Sequence, residues 1–192
     1  MPRVGVLALQ GDVREHVAVL RGLGADVVEV RRAEQLDDLD GLVMPGGEST
    51  TIAYLLTTSG VRPVLERRLA EGLHVFGTCA GLILLSREIL DGRSDQWSYG
   101  VLDVSVRRNG YGRQIASFES PVTVVGVGEV PGVFIRAPKI ETWSDDVEVL
   151  ATLDLGDGEH PVLVRQANVW GCSFHPELTA DTRVHELFTN SL

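Results

Sequence analysis

Val4–Leu9 is an unbroken apolar run, as in a strand covered on both faces of a sheet. Polar residues interrupt it at Gln10-Gly11-Asp12, after which Val13, Val17 and Leu20 recur on one helix face until Gly24. Asp12 and Glu15 have the spacing of a capping box that opens this helix. Asp26–Val30 reads as a second strand, and Gly41–Met44 as a third that stops at Pro45-Gly46-Gly47. The pattern predicts a helix from about Thr50, another over about Val61–Glu71, a fourth strand at His74–Gly77, and a helix directly after Cys79. Such a βαβα rhythm needs crossover connections, which make the strands parallel and put helices on the sheet faces.

The second half changes character. Val101–Val106, Val122–Val125, Val133–Ile135, Val147–Leu153, Pro161–Arg165 and Val169–Phe174 read as strands, and Asp181–Asn190 as a closing helix. Few helical stretches separate these strands, so part of the pairing is expected to be antiparallel. No repeat, low-complexity tract or linker divides the chain. The expectation is one domain over residues 1–192: an α/β three-layer sandwich with a central, mostly parallel sheet and an antiparallel extension.

Composition narrows the partners. The chain has 27 acidic and 17 basic residues, for a net charge of −10. Nucleic acids and anionic membranes select for clustered Lys and Arg, so both are disfavoured. No apolar run approaches the ~20 residues of a membrane helix, and the short apolar start reads as a strand rather than a leader. A cytoplasmic location is expected, with Cys79 and Cys172 as free thiols.

The sharpest chemical signal is Val75-Phe76-Gly77-Thr78-Cys79-Ala80-Gly81-Leu82. A strand stops, a cysteine sits at the turn, small residues flank it, and a helix follows. This is a nucleophile elbow in cysteine form. The helix N-terminus would favour thiolate, and the Ala80 N–H is placed to donate to an oxyanion. Cys172 falls inside a strand and reads as structural. A nucleophilic cysteine needs a base, and the base an orienter. His16 and His185 read as surface residues on the first and last helices, His74 opens a strand, and His160 sits in a turn. Only His175 follows a buried strand end, with Glu177 two positions on to hold one ring nitrogen. Gly46-Gly47 precedes a helix, in a loop whose N–H groups can face an anion.

These segments together resemble the class I, triad-type glutamine amidotransferases, in which a P-G-G loop, a G-x-C-x-G elbow and a late H-P-E occur in this order. Here they are Pro45–Gly47, Gly77–Gly81 and His175–Glu177. Leu9–His16, Pro45–Thr51, Phe76–Leu82, Arg108–Gln114, Phe134–Pro138 and Gly171–Thr179 extend the resemblance. They point to the family of glutaminase subunits of the ribose-5-phosphate-dependent pyridoxal 5′-phosphate synthases. The stretches Ile89–Tyr99 and Val127–Val130 add nothing to it.

The resemblance implies Cys79 as nucleophile with His175 and Glu177 completing a triad, and an oxyanion hole from Gly47 and Ala80. It implies Gly47, Glu48, Ser49, Arg108, Ile135 and Arg136 around L-glutamine. It further implies a synthase partner in a hetero-oligomeric complex that takes up the ammonia and makes pyridoxal 5′-phosphate as product. Neither metal nor cofactor is expected. Gln10 and Gly46 are expected to form a switch, since a Gly46-Gly47 peptide can change orientation when a partner docks. The competing readings are a glutaminase of another pathway, a different cysteine hydrolase and a non-catalytic binding module. The Gly-Gly-Glu-Ser-Thr-Thr and Phe-Ile-Arg-Ala-Pro segments and the intact triad speak against them.

Overall fold

The structure, a computed structural model, describes residues 1–110, 117–154, 156 and 158–192. Residues 111–114 of the Arg108–Gln114 segment lie outside the described residues. Five strands form the parallel half of a nine-stranded sheet: β1 (Arg3–Leu7), β2 (Asp26–Val30), β3 (Gly41–Met44), β4 (His74–Thr78) and, from late in the chain, β12 (Val169–Cys172). The antiparallel half is β7 (Ser117–Val124), β8 (Gly128–Ile135), β10 (Glu148–Asp154) and β11 (Glu159–Gln166). The order across the sheet is β2-β1-β3-β4-β12-β11-β10-β7-β8.

Side chains alternate across a strand, and here the alternation builds two cores. Val4, Val6, Val43 and Phe76 pack with Val17 and Leu20 of α1 (Val13–Gly22) and with Val184 and Phe188 of α5 (Arg183–Thr189). Leu7, Leu42, Met44 and Val75 pack on the other side with Ile52 of α2 (Ser49–Thr58), Leu65 of α3 (Val61–Ala70) and Leu82 of α4 (Ala80–Leu85). Helices on both faces of the sheet give the three layers expected.

Three differences from the sequence reading matter. A second sheet, β5 (Ser86–Ile89), β6 (Leu102–Arg107) and β9 (Lys139–Trp143), was not anticipated beyond β6. The predicted strand Val169–Phe174 ends at Cys172, so Ser173 and Phe174 lead out of the sheet towards His175. The capping box at Asp12 does not form. Asp12 makes no side-chain cap hydrogen bond, because its carboxylate is turned towards His175 instead.

Candidate active site

Strand register brings the nucleophile and the base together. β12 lies parallel beside β4, with Gly171 opposite Gly77 and Cys172 opposite Thr78. Both strands therefore end at the same edge, the edge at which α/β sheets collect their sites. Cys79 follows β4 directly, and its N–H donates to the Cys172 carbonyl at 2.8 Å. His175 lies three positions beyond the end of β12, and its N–H donates to the Val133 carbonyl at 2.8 Å.

Cys79 has φ 48° and ψ −101°, a conformation that costs a non-glycine residue free energy and persists only when neighbours enforce it. The neighbours do so by close approach. A Cβ on Gly81 would lie 2.1 Å from the Met44 carbonyl oxygen, and one on Gly77 would lie 2.5 Å from the Gly81 carbonyl carbon. The thiol Sγ lies 3.9 Å from the Ile135 carbonyl. Ala80 is the first residue of α4, so its N–H has no carbonyl a turn earlier to receive it.

His175 is buried, and its Nδ1 lies 2.7 Å from Glu177 Oε1 and 3.4 Å from Asp12 Oδ2. Its Nε2 makes no hydrogen bond of ordinary geometry, yet the ring interacts with the Cys79 side chain. Burial by itself disfavours the imidazolium. Hydrogen bonding to Asp12, Cys79 and Glu177 outweighs that and pushes the ring up to about 12. The arrangement thus holds a proton on His175 beside the thiol. Glu177 is also buried, and burial raises its carboxyl above the usual range while His175 pulls it back down. Asp12, His175 and Glu177 bring ligand atoms within 4.8 Å of one another. His175 Nδ1 and Glu177 Oε1 are in direct contact at 2.7 Å, the distance of a charge-assisted hydrogen bond in which Nδ1 spends its proton on the carboxylate. This is the geometry of a proton relay.

His16 and His185 are not surface residues. Both are fully buried beneath the site. His16 Nδ1 lies 2.9 Å from His185 Nε2, and His16 Nε2 lies 3.2 Å from Thr78 Oγ1 and 3.4 Å from Glu177 Oε2. Their positions were legible: His16 shares a helix face with Val13, Val17 and Leu20, and His185 shares one with Phe188, three positions on.

Burial holds His16 well below the usual histidine range, with His185 adding to the effect, and burial holds His185 down at about 4. An unfolded histidine titrates near ~6.5. The stability that neutral His185 contributes is therefore present above ~6.5 and is lost as pH falls towards about 4. Between pH 6.5 and 4.5, His185→Phe is expected to flatten the fall of unfolding free energy by up to ~1.4 kcal/mol per pH unit, one proton's worth. Urea titrations across that range check this, and equal slopes in both proteins would refute it.

Above Cys79 opens a cleft of about 430 Å³, lined by Asp12, Gly47, Glu48, Ser49, Cys79, Ile83, Arg108, Asn109, Ile135, Arg136 and His175. All six residues expected around glutamine line it. Ala80, Gln10 and Gly46 do not. Gln10 lies behind the loop, where its Oε1 accepts from the Glu48 N–H at 2.8 Å. The Gly46 carbonyl accepts from the Asp12 N–H at 3.2 Å. Arg108 donates to Glu48 Oε1 at 2.9 Å, placing a cation and an anion side by side in the cleft. Arg136 has φ 44°, a strained conformation at the rim. Sequence reasoning missed Asp12, Ile83 and Asn109 as lining residues. It also missed Gln96, whose Nε2 donates to Ser49 Oγ at 3.0 Å and ties the unassigned Ile89–Tyr99 stretch to the site. Two other clefts, of about 400 and 350 Å³, contain neither cysteine nor histidine.

A cysteine elbow at the edge of a parallel sheet, with a buried His-Glu pair, is the frame of an amidotransferase, and the chain belongs to the SNO glutamine amidotransferase family, which it matches over residues 6–192. It is 57% identical over 189 residues to the pyridoxal 5′-phosphate synthase subunit PdxT of Parafrankia sp. (strain EAN1pec), covering 97% of this chain and 91% of that one. It is 54% identical to the protein of the same name from Mycobacteroides abscessus, over 98% and 96% of the two chains. A crystal structure of a glutamine amidotransferase superposes with a TM-score of 0.91 at 51% identity, covering 98% of this chain and 97% of that one. A glutamine amidotransferase from Thermotoga maritima, at TM-score 0.60 and 16% identity over 100% and 84%, shares the fold.

Proposed function

We infer that this chain is the glutaminase subunit of a pyridoxal 5′-phosphate synthase: it hydrolyses L-glutamine to L-glutamate and ammonia, and a partner synthase subunit consumes the ammonia. The observation that carries the reading is the line from Cys79 through His175 to Glu177, opening on a cleft that holds Arg108 against Glu48. A free amino acid is a zwitterion. Its α-carboxylate suits the planar donors of Arg108, and its α-ammonium suits the Glu48 carboxylate. Binding exchanges an ion pair within the protein for two with the substrate. Gly47, Ser49, Ile135 and Arg136 complete the walls.

The Cys79 thiolate attacks the side-chain amide carbon. The N–H groups of Gly47 and Ala80 receive the oxyanion. His175, already holding a proton, gives it from Nε2 to the departing nitrogen, and a thioester remains. His175 then takes a proton from water, which attacks the thioester and releases glutamate. Glu177 receives the Nδ1–H throughout and keeps Nε2 aimed at the reacting atoms. This hydrolysis requires neither a metal nor a cofactor. The whole chain acts as one glutaminase unit in the cytoplasm, where both of its cysteines remain free thiols.

The partner acts through the Gly46-Gly47 peptide. With the Gly46 carbonyl held by Asp12, the N–H of a trans peptide points the opposite way. The other orientation turns a carbonyl where a donor is needed, and losing one such donor costs ~10²–10³ in turnover. A Cβ on Gly11 would lie 1.7 Å from the Gly46 oxygen, so movement of the Gln10-Gly11 segment is transmitted to this peptide. Glutamine hydrolysis is expected to rise sharply when the synthase subunit is added, and Gln10→Ala to weaken that rise. Assays of ammonia release with and without the partner test both. A chain fully active alone would refute the switch, and failure to yield pyridoxal 5′-phosphate from ribose 5-phosphate, glyceraldehyde 3-phosphate and glutamine would refute the assignment.

A further inference from the structure

Glu177 has two carboxylate oxygens and one named task. Oε1 receives His175 Nδ1 at 2.7 Å. Oε2 is buried and has no hydrogen bond of full geometry, and the donor-capable atom against it is His16 Nε2 at 3.4 Å. A buried carboxylate oxygen left without a donor is costly. A carboxylate fixed through only one oxygen can also rotate away from the imidazole it orients. What His16 presents to Oε2 therefore decides how well Glu177 is held.

Hydrogen-bond accounting decides it. Burial keeps His16 and His185 in the neutral form, so each ring carries one N–H. Their facing nitrogens, His16 Nδ1 and His185 Nε2 at 2.9 Å, share a single proton. If that proton belongs to His16 Nδ1, then His16 Nε2 presents a lone pair, which the Thr78 hydroxyl can meet but which opposes the lone pairs of Glu177 Oε2. His185 must then bury an N–H at Nδ1, where the ring has no partner. If the proton belongs to His185 Nε2, then His16 carries its own on Nε2. That N–H lies between Thr78 Oγ1 at 3.2 Å and Glu177 Oε2 at 3.4 Å. The atom left unmet is then only a lone pair on His185 Nδ1, and an orphaned lone pair is tolerated more readily than an orphaned N–H. Both comparisons select the second arrangement.

We propose that His16 and His185 are positioning residues that carry the Cys79–His175–Glu177 line into the core: His185 donates to His16, and His16 donates to the far oxygen of Glu177, clamping the carboxylate in the orientation that receives His175. Distances of this kind tighten as substrate binds. Neither ring reaches the cleft, so both act only through Glu177. The inference rests on the glutaminase reading.

Two measurements test it. Nitrogen-15 spectra of the full chain with labelled histidine should show His16 and His185 protonated at Nε2 and bare at Nδ1; a proton on His16 Nδ1 overturns the proposal, whatever any variant does. Kinetics are read with the synthase subunit present, per Cys79 titrated by a glutamine-like alkylating agent. His16→Leu removes the donor and is expected to lower kcat by about 10–100-fold, the usual cost of losing an outer partner of a reacting group. KM for glutamine should stay within about twofold, since no glutamine contact changes. His16→Gln restores an N–H near the Nε2 position and is expected to recover most of the loss. A merely structural His16 predicts lowered stability in both variants with kcat per titrated site intact, and that result refutes the clamp. A wild-type complex without glutaminase activity would instead refute the proposed function, and a His16→Leu chain that fails to fold leaves the spectra to decide.

Discussion

A chain carrying Cys79→Ala is expected to bind L-glutamine and to hydrolyse none of it. In the proposed mechanism the thiol is the nucleophile, whereas the groups assigned to the zwitterion, Arg108 and Glu48, stand apart from it and remain. Calorimetry on the complex with the synthase subunit should give a glutamine affinity within a few-fold of wild type, while ammonia release falls to background. The companion result concerns the second thiol. Cys172 is fully buried, its Sγ–H donates to the Phe174 carbonyl at 3.3 Å, and burial pushes its pKa well above the ordinary thiol range. A glutamine-like alkylating agent should label Cys79 and spare Cys172. Label on Cys172, or residual turnover in Cys79→Ala, would overturn the assignment of the nucleophile.

Replacing the base should cost nearly as much. His175→Asn removes the group that carries a proton in both halves of the reaction, and a loss of about 10⁴–10⁶ in kcat is expected by comparison with the triad of subtilisin. Glu177→Gln should cost about 10–100-fold less than that, because an orienter does not itself move a proton. Gln keeps an oxygen for His175 Nδ1 but brings an amide into a buried site fitted to a carboxylate. Steady-state kinetics on the two variants, side by side, test the order. Equal losses would mean that Glu177 does more than orient.

The parallel half of the sheet was legible because strands buried on both faces must be continuously apolar. Val4–Leu9, Gly41–Met44 and His74–Gly77 have that signature, and the elbow at Cys79 advertises itself by small residues where backbones touch. The second sheet was not legible for the opposite reason. Ser86–Ile89 and Lys139–Trp143 are short, carry charges and leave several side chains exposed, so neither alternation nor a run of apolar residues marks them. In the β7–β8 hairpin only Val122–Val125 and Val133–Ile135 stood out, since much of β7 faces solvent. His16 and His185 depart from the expectation for polar residues on a helix because each finds in the other a buried hydrogen-bond partner, which composition along the helix does not reveal. Asp12 was misjudged because a capping spacing is local, and the partner that claims its carboxylate lies at the other end of the chain. The six residues around the cleft came from the resemblance, and no pattern of hydrophobicity distinguishes Arg108 or Arg136 from other arginines.

The insertion of β12 between β4 and β11 also bears on how the chain comes into being. The first four strands pair with one another, and β4 is left with an open edge until the penultimate segment of the polypeptide arrives. Everything from β5 to β11 is synthesised between the cysteine and its histidine. Contacts of such long sequence separation form late, because the loop they close costs entropy before they return any stability. A partly made or partly folded chain therefore holds its thiol without a base, and glutamine is safe from it. The step that seals the middle of the sheet also brings the base to the thiol, so a sheet still lacking β12 lacks the complete Cys79–His175–Glu177 line.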